Sequence, residues 1–407
     1  MKKIALFILF MSFAFSQFTE ITQMEHDSGL SLYVVANTIG TGTDEHVIIS
    51  YYAAGTPRMK TFSVNQSTYV VTETETYAFG TATTSRADFF VIDSTHVIIA
   101  TEDSGNDGWV KTLSVSTDKA TIAEIDAFEH NGTKGLSHEI EQIDATHYLI
   151  MYSDTDEDVW AKVIIIDGAF NISMGDSIEI LDATTMQLNS NSLRRRGAED
   201  EYVFSYVGTT DTYIGTISVD VSYNLTLEDN IVTSIIGSYG SLSEIEMIDD
   251  THVLLSAVGD GVSILETFSI HGTTFDLTQT DSLYTGALTA HATALLKWDA
   301  LGNFIWSWVD ADGDGQWRGY TINLSTYAIT AVDNQVEYDP TTIGMIDMAR
   351  YNTTHFLTAY PSATGDGQIS VATYVPPSTG WAHTINGVAS PTSVSGVEPP
   401  TSVSGVE

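Results

Sequence analysis

The sequence predicts an all-β fold: a seven-bladed β-propeller of four-stranded antiparallel blades, closed by the N-terminal strand. Three observations lead there. A motif recurs seven times at a nearly constant interval, each interval holds four short alternating segments, and one strand is left over at the start while one is missing at the end.

The motif is Ile-Asp-x-Thr-His followed by an apolar run, at Ile92 to His96, Ile143 to His147 and Ile248 to His252, with Asn352-Thr-Thr-His355 as a close copy. Degenerate copies fall at His46, Glu201 and Asn303, so the anchors 46, 96, 147, 201, 252, 303 and 355 are separated by 50, 51, 54, 51, 51 and 52 residues. Four strands in a period near fifty is the arithmetic of a propeller blade. The third copy shows the plan: SHEIEQI at 137–143, a turn at 144–146, HYLIMYS at 147–153, an acidic turn, VWAKVIII at 159–166, and a fourth strand near 177–181. These segments are short, β-branched and bounded by Asp, Gly, Ser and Thr, and no long stretch carries helical three-and-four spacing. The first copy has four strands from residue 31 onward without using 18–27. The seventh reaches Pro376-Pro377 short of its outer strand. Phe18 to Met24 is therefore expected to supply that strand and remove both open sheet edges.

The flanks read differently. Lys2 and Lys3 precede an apolar run from Ile4 to Phe13 and the small-residue pattern Ala14-Phe15-Ser16, which predicts a signal peptide over 1–16 and an exported, secreted or cell-surface protein. The propeller is expected over 17–380. Residues 381–407, in which TSVSGVE occurs twice, form a low-complexity tail. The chain of 407 residues carries 53 Asp plus Glu against 15 Lys plus Arg, a formal charge of -38. That balance argues against a nucleic-acid partner, which needs clustered cations. Hydrophobic residues at 43% supply a core, and the absence of Cys removes disulfides, thiolate metal sites and cysteine nucleophiles. No later apolar span is long enough for a transmembrane helix.

The Asp-x-Thr-His repeat, with its Asp/Gly turn and following Gly-x-apolar strand, resembles the blade repeats of secreted bacterial β-propeller proteins over about 31–375. Asp310-Ala-Asp312-Gly-Asp314-Gly315 is similar to the calcium loop of integrin-type repeats. Thr101-Glu-Asp103-Ser-Gly105, with Trp109 after it, is similar to the aspartate box of sialidases, with the Trp one residue late.

Hairpins between second and third strands carry acid in most blades, and carboxylates at alternate turn positions present hard oxygens suited to Ca²⁺. Asp310, Asp312 and Asp314 are the first candidates, followed by Asp154, Asp156 and Asp158, then Asp103 and Asp107; the competing reading is that Asp and Gly simply favour tight turns. Trp109, Trp160 and Trp317 stand just after these hairpins, either as packing between blades or as platforms for a sugar or protein ligand. Glu139, Glu141, Glu244, Glu246 and Asp347 lie on first strands, nearest the expected channel; Glu139 and Glu244 are taken as ligand-binding. The recurring His is assigned to the turn rather than to chemistry. No GxSxG, HExxH or phosphate-binding loop occurs in its required context. The expectation is thus a non-catalytic module binding an extracellular protein or glycan, assisted by calcium. The alternative is a sialidase-like, glycan-cleaving enzyme built on Arg86, Arg196 and Arg350.

Overall fold

The run after each anchor is apolar on both alternating faces, as in His46–Ala53 and His147–Ser153, and in the computed structural model these segments are strands buried along nearly their whole length. A strand hidden on both faces must be covered twice, which neighbouring blades accomplish. The structure describes residues 18–376 apart from 28–30, 41–45, 54, 81–86, 155–157, 183–190, 198–199, 209–210, 234–241, 260–261, 288–292, 311, 333–334, 340–345 and 363–364. The proposed signal peptide and tail lie outside the described residues.

After the N-terminal β1 (Phe18–Asp27), the strands follow in blades. The first is β2 (Ser31–Ile39), β3 (His46–Ala53), β4 (Thr56–Val64) and β5 (Val71–Ala78). The second is β6 (Asp88–Asp93), β7 (His96–Glu102), β8 (Gly108–Val115) and β9 (Ile122–Asn131). The third is β10 (Leu136–Gln142), β11 (His147–Ser153), β12 (Val159–Ile166) and β13 (Ile172–Leu181). The fourth is β14 (Asn191–Arg195), β15 (Glu201–Val207), β16 (Thr212–Val219) and β17 (Leu225–Val232). The fifth is β18 (Leu242–Asp249), β19 (His252–Gly259), β20 (Val262–Ile270) and β21 (Leu277–Ala287). The sixth is β22 (Thr293–Lys297), β23 (Asn303–Val309), β24 (Gly315–Ile322) and an outer strand broken into β25 (Ile329–Ala331) and β26 (Val336–Asp339). The seventh is β27 (Asp347–Arg350), β28 (His355–Pro361) and β29 (Gly367–Tyr374).

Each blade is an antiparallel sheet in sequence order, and the seventh is completed by β1, giving the order β1-β29-β28-β27. Phe18 pairs with Tyr374 and Asp27 with Gly367. The fold is the seven-bladed β-propeller closed by its N-terminal strand. Seven apolar clusters fill the seven seams between blades, the last seam, between the seventh blade and the first, being held by Val34, Ile49, Tyr51, Leu357 and Ile369.

A repeated polar device joins neighbouring blades. Thr61, Thr112, Thr216 and Thr267 on third strands donate to the carbonyls of Lys119, Phe170, Phe275 and Tyr327 in the next blade. Those four acceptors all have φ between 56° and 65°, a left-handed conformation costing a side-chain-bearing residue roughly 1–2 kcal/mol. In four blades the turn at this place holds an aromatic ring against the preceding blade's histidine: Phe170 on His96, Tyr223 on His147, Tyr327 on His252 and Tyr69 on His355, at centroid distances of 3.7, 3.5, 3.2 and 3.7 Å. Asp144 shows the whole arrangement, since it accepts from the Thr146 backbone and hydroxyl, contacts His147 Nδ1 at 3.0 Å, and accepts from the Tyr223 hydroxyl at 2.6 Å. Histidine at the anchor is a seam residue.

Candidate functional site: the central channel

Pairing with the second strands fixes which innermost-strand residues share a level. Val35, Asp88, Glu139, Ser192, Glu244, Ala294 and Asp347 all lie opposite the fourth residue after the anchor. Two residues further, and so on the same face of each strand, come Asn37, Phe90, Glu141, Arg194, Glu246, Leu296 and Ala349. All seven blades contribute lining to one cavity of about 340 Å³ on the ring axis.

The first layer ties blades together as well as facing the channel. Asp347 Oδ2 accepts from the Ala36 N–H at 2.7 Å, Asp88 Oδ2 from Ile140 at 2.7 Å, Glu244 Oε2 from Leu295 at 2.9 Å and Ser192 Oγ from Ile245 at 3.2 Å. Each bond crosses to the next blade, so the acids are held in place before any ligand arrives.

Six carboxylates line the cavity, from Asp88, Glu139, Glu141, Glu244, Glu246 and Asp347, against two guanidiniums, Arg194 and Arg350. Arg194 is the hub. Its Nη2 lies 3.4 Å from Glu244 Oε1, its Nε 3.5 Å from Glu246 Oε1 and its Nη1 4.0 Å from Glu139 Oε2. Burial works against its charge, but Glu246, Glu244, Glu141 and Glu139 together outweigh that and raise its pKa above the ordinary value. Glu141 has the opposite balance. Burial pushes its carboxyl up to about 7, against the pull of Arg194 and the Gln142 N–H and with help from Glu246 and Asp88. Glu246 is likewise raised, by burial first, with Arg194 and Lys297 opposing. The channel therefore pairs a fixed cation with a carboxyl that exchanges its proton near neutrality, the property expected of a general acid or base.

The first strands carry Glu139 and Glu244 into this channel, as their positions led us to expect. Asp88 was missed, although it stands eight residues before its anchor, like Glu139, Glu244 and Asp347. The Trp residues fare differently. Trp317 is wholly buried, stacked on Tyr338 at 4.4 Å with its indole N–H on Thr358 Oγ1 at 3.0 Å, so of its two readings packing between blades holds, and its place among the ligand-binding candidates is corrected to a core residue of the seam between the sixth and seventh blades. Trp109 and Trp160 are half-buried, and Trp160 donates to Asp154 Oδ2 at 3.0 Å.

The acidic hairpins use their leading Asp to hold the turn. Asp310 Oδ1 accepts from the backbones of Asp312 and Asp314 at 3.0 and 3.1 Å, and its Oδ2 from Gln316 at 2.9 Å. Asp103 Oδ1 accepts from Gly105 and Asp107 at 2.7 and 3.1 Å, and Asp154 Oδ1 from Asp158 at 3.2 Å; Asp156 lies outside the described residues. Among the described residues, the acids whose oxygens converge within 4.8 Å are Asp158, Glu179 and Asp182, on the exposed side of the third blade. That cluster could hold a metal ion. No helix among the described residues is long and apolar enough to cross a membrane.

The three arginines of the glycan-cleaving alternative do not gather. Arg350 lines the cavity, whereas Arg196 lies away from it, bonded to Glu201 and the Asp250 carbonyl and stacked over Phe275 at 5.6 Å. Arg86 lies outside the described residues.

No protein-family model matches the chain, and comparison with curated proteins gives no match. Solved structures do share the fold. A periplasmic gluconolactonase from Pseudomonas aeruginosa superposes with a TM-score of 0.56 at 9% identity, covering 76% of this chain and 85% of its own. A Bacteroides fragilis protein described as a 6-phosphogluconolactonase gives 0.54 at 11%, covering 77% and 96%, and a Lactobacillus plantarum protein 0.55 at 11%, covering 74% and 84%. At such identity the likeness is one of fold. Two of these neighbours are named as lactonases, which corrects the expectation of a non-catalytic binding module.

Proposed function

We propose that the chain is a lactone hydrolase working in its central channel, on a small uncharged lactone. The observation that carries this reading is the pairing, in one layer of the channel, of Glu141, with a pKa raised to about 7, and Arg194. The names of two structural neighbours support lactones as the class. Six carboxylates against two guanidiniums oppose a phosphorylated substrate, so an unphosphorylated sugar lactone fits better than its 6-phospho form. The partner is then a small molecule in place of the extracellular protein or glycan first expected.

In the proposed reaction the Glu141 carboxylate takes a proton from water, whose oxygen forms a bond to the lactone carbonyl carbon. The guanidinium of Arg194 favours the negative charge that develops on the carbonyl oxygen. Collapse breaks the bond from that carbon to the ring oxygen, which receives the proton from Glu141, and a hydroxy acid leaves. At a pKa near 7 both forms of Glu141 are populated at neutral pH, as a group that first accepts and then donates requires. The acid product carries a negative charge into a negative channel, which favours its departure.

Export through the segment 1–16 belongs to the same proposal, supported by Lys2, Lys3 and the apolar run after them. Calcium belongs at Asp158, Glu179 and Asp182 and outside the chemistry. A rise in melting midpoint with millimolar Ca²⁺ that Asp158→Asn abolishes is the expected result. The test of the main reading is acid release from δ-gluconolactone by the purified protein, followed at constant pH beside the 6-phospho lactone. Hydrolysis above the spontaneous rate, faster for the uncharged lactone and lost in Arg194→Met, is expected; no acceleration of either would refute it.

A further inference from the structure

Where a blade's outer strand passes the start of its third strand, one residue is bulged out of register and buried. In the third and sixth blades it is Ile180 and Tyr338, in the seventh and second His26 and His130. The two histidines have matching surroundings. His26 meets the Tyr51 ring edge-on at 4.7 Å, and Lys60 Nζ donates to its carbonyl; His130 meets Tyr152 at 4.5 Å, and Lys162 Nζ donates to its carbonyl at 2.7 Å. Gly367 and Gly108 make room for the imidazoles, because a Cβ at either would collide with the ring. Isoleucine fills the equivalent place in the third blade, so packing alone does not call for an imidazole. The imidazoles also carry buried nitrogens without a hydrogen-bond partner, both of His26 and Nδ1 of His130, a desolvation cost that an aliphatic side chain avoids.

We propose that these two seams are acid-released latches: protonation of His26, at the end of the strand that closes the ring, and of His130, between the second and third blades, drives the rings toward water and loosens the outer strands there. The charges facing each ring favour release. His26 meets Lys60 from β4 and Asp27 from its own strand. Asp27 is engaged by Arg58 at 3.1 Å and the Tyr51 hydroxyl at 3.0 Å, Lys60 pairs with Glu73 of β5 at 2.9 Å, and β29 offers only Gly367 and Gln368. Burial first and Lys60 second hold His26 down to about 3, with Asp27 opposing. His130 faces His138 of β10, Nε2 to Nε2 at 2.9 Å, and Lys162 of β12, with Glu129 beside it on its own strand. Burial, then His138, then Lys162 keep it well below the ordinary histidine value. The stability that His26 contributes is whole above about 6.5 and drains away as pH falls toward 3, and that of His130 is lost in the same direction.

The test compares the full-length protein with His26→Ile/His130→Ile in thermal melts from pH 8 to pH 4. The expected result is a midpoint advantage of the variant that grows by several degrees between pH 7.5 and pH 4.5. A gap independent of pH would overturn the proposal. Should the variant fail to fold, imidazole NMR of the wild-type protein decides: two rings still neutral at pH 5 support the latches, and titration of every histidine near 6.5 in the folded protein refutes them.

Discussion

Arg194 of the fourth blade lies 3.5 Å from Glu246 of the fifth, through Nε and Oε1, in the layer that also holds Glu141 of the third. One cation thus holds three blades at the ring axis. Replacing it by Met leaves Glu139, Glu141, Glu244 and Glu246 facing one another. A fully buried pair broken this way costs about 3–5 kcal/mol; with Arg194 still 26% exposed, roughly 1–3 kcal/mol is expected after screening. Denaturant unfolding should show the larger loss at pH 8 than at pH 5, because the acids left behind are then ionised.

Glu141→Gln tests the raised carboxyl itself. A folded pKa of about 7 against an ordinary value near 4.5 means that its contribution is whole below 4.5 and lost as pH rises through 7. The variant should match the wild type near pH 4.5 and exceed it by about 1–3 kcal/mol at pH 8, allowing for access to channel water. Equal unfolding free energies at both pH values would count against the raised pKa.

Ring closure depends on Phe18, stacked on Tyr374 at 4.7 Å and edge-on to Phe356 at 6.1 Å. Phe18→Ala should cost about 3–5 kcal/mol, the range for a large aromatic removed from a packed core. Its thermal midpoint should fall accordingly, and protease cleavage within 18–27 should become faster than elsewhere in the ring.

The seams offer a smaller, repeated test. Thr267 donates to the Tyr327 carbonyl at 3.0 Å and Thr216 to Phe275 at 3.0 Å. Thr216→Val should cost about 1 kcal/mol, one net hydrogen bond, and Thr267→Val about 1–2 kcal/mol, because its Oγ1 also accepts from the Thr280 hydroxyl at 2.8 Å. The double variant should show the sum of the two in equilibrium unfolding, since they serve different seams.

The blade count, the strand plan and the closing strand were legible because each rests on local signals that repeat: the anchor, the period, and a strand surplus at one end matched by a deficit at the other. The channel was legible in part, since Glu139 and Glu244 follow from their place on first strands. What was not legible depends on contacts between blades. Arg194, Arg195 and Arg196 are consecutive in the sequence, yet Arg194 enters the channel, Arg195 meets Asp200 at 3.1 Å near the surface, and Arg196 lies over Phe275 where other seams stack an imidazole on a ring. Glu201 stands at that blade's anchor in place of His, and this substitution was the available signal. Which of its two readings holds for Trp317, packing or platform, was not legible because its partner Tyr338 comes from the second piece of a broken outer strand, which no periodicity announces. Asp310 accepts hydrogen bonds from Asp312, Asp314 and Gln316, an arrangement that residue type alone does not reveal.

The claim that most needs testing is that Glu141 exchanges the proton in lactone hydrolysis, and the pH–rate profile of the purified protein on δ-gluconolactone addresses it directly. Enzymatic acid release above the spontaneous rate should rise through an apparent pKa near 7, and Glu141→Gln should lower it by 10²–10⁴-fold, the usual size of a general acid–base contribution, while remaining folded. Hydrolysis by Glu141→Gln at the wild-type rate, or a wild-type rate no faster than buffer across the pH range, would contradict the account.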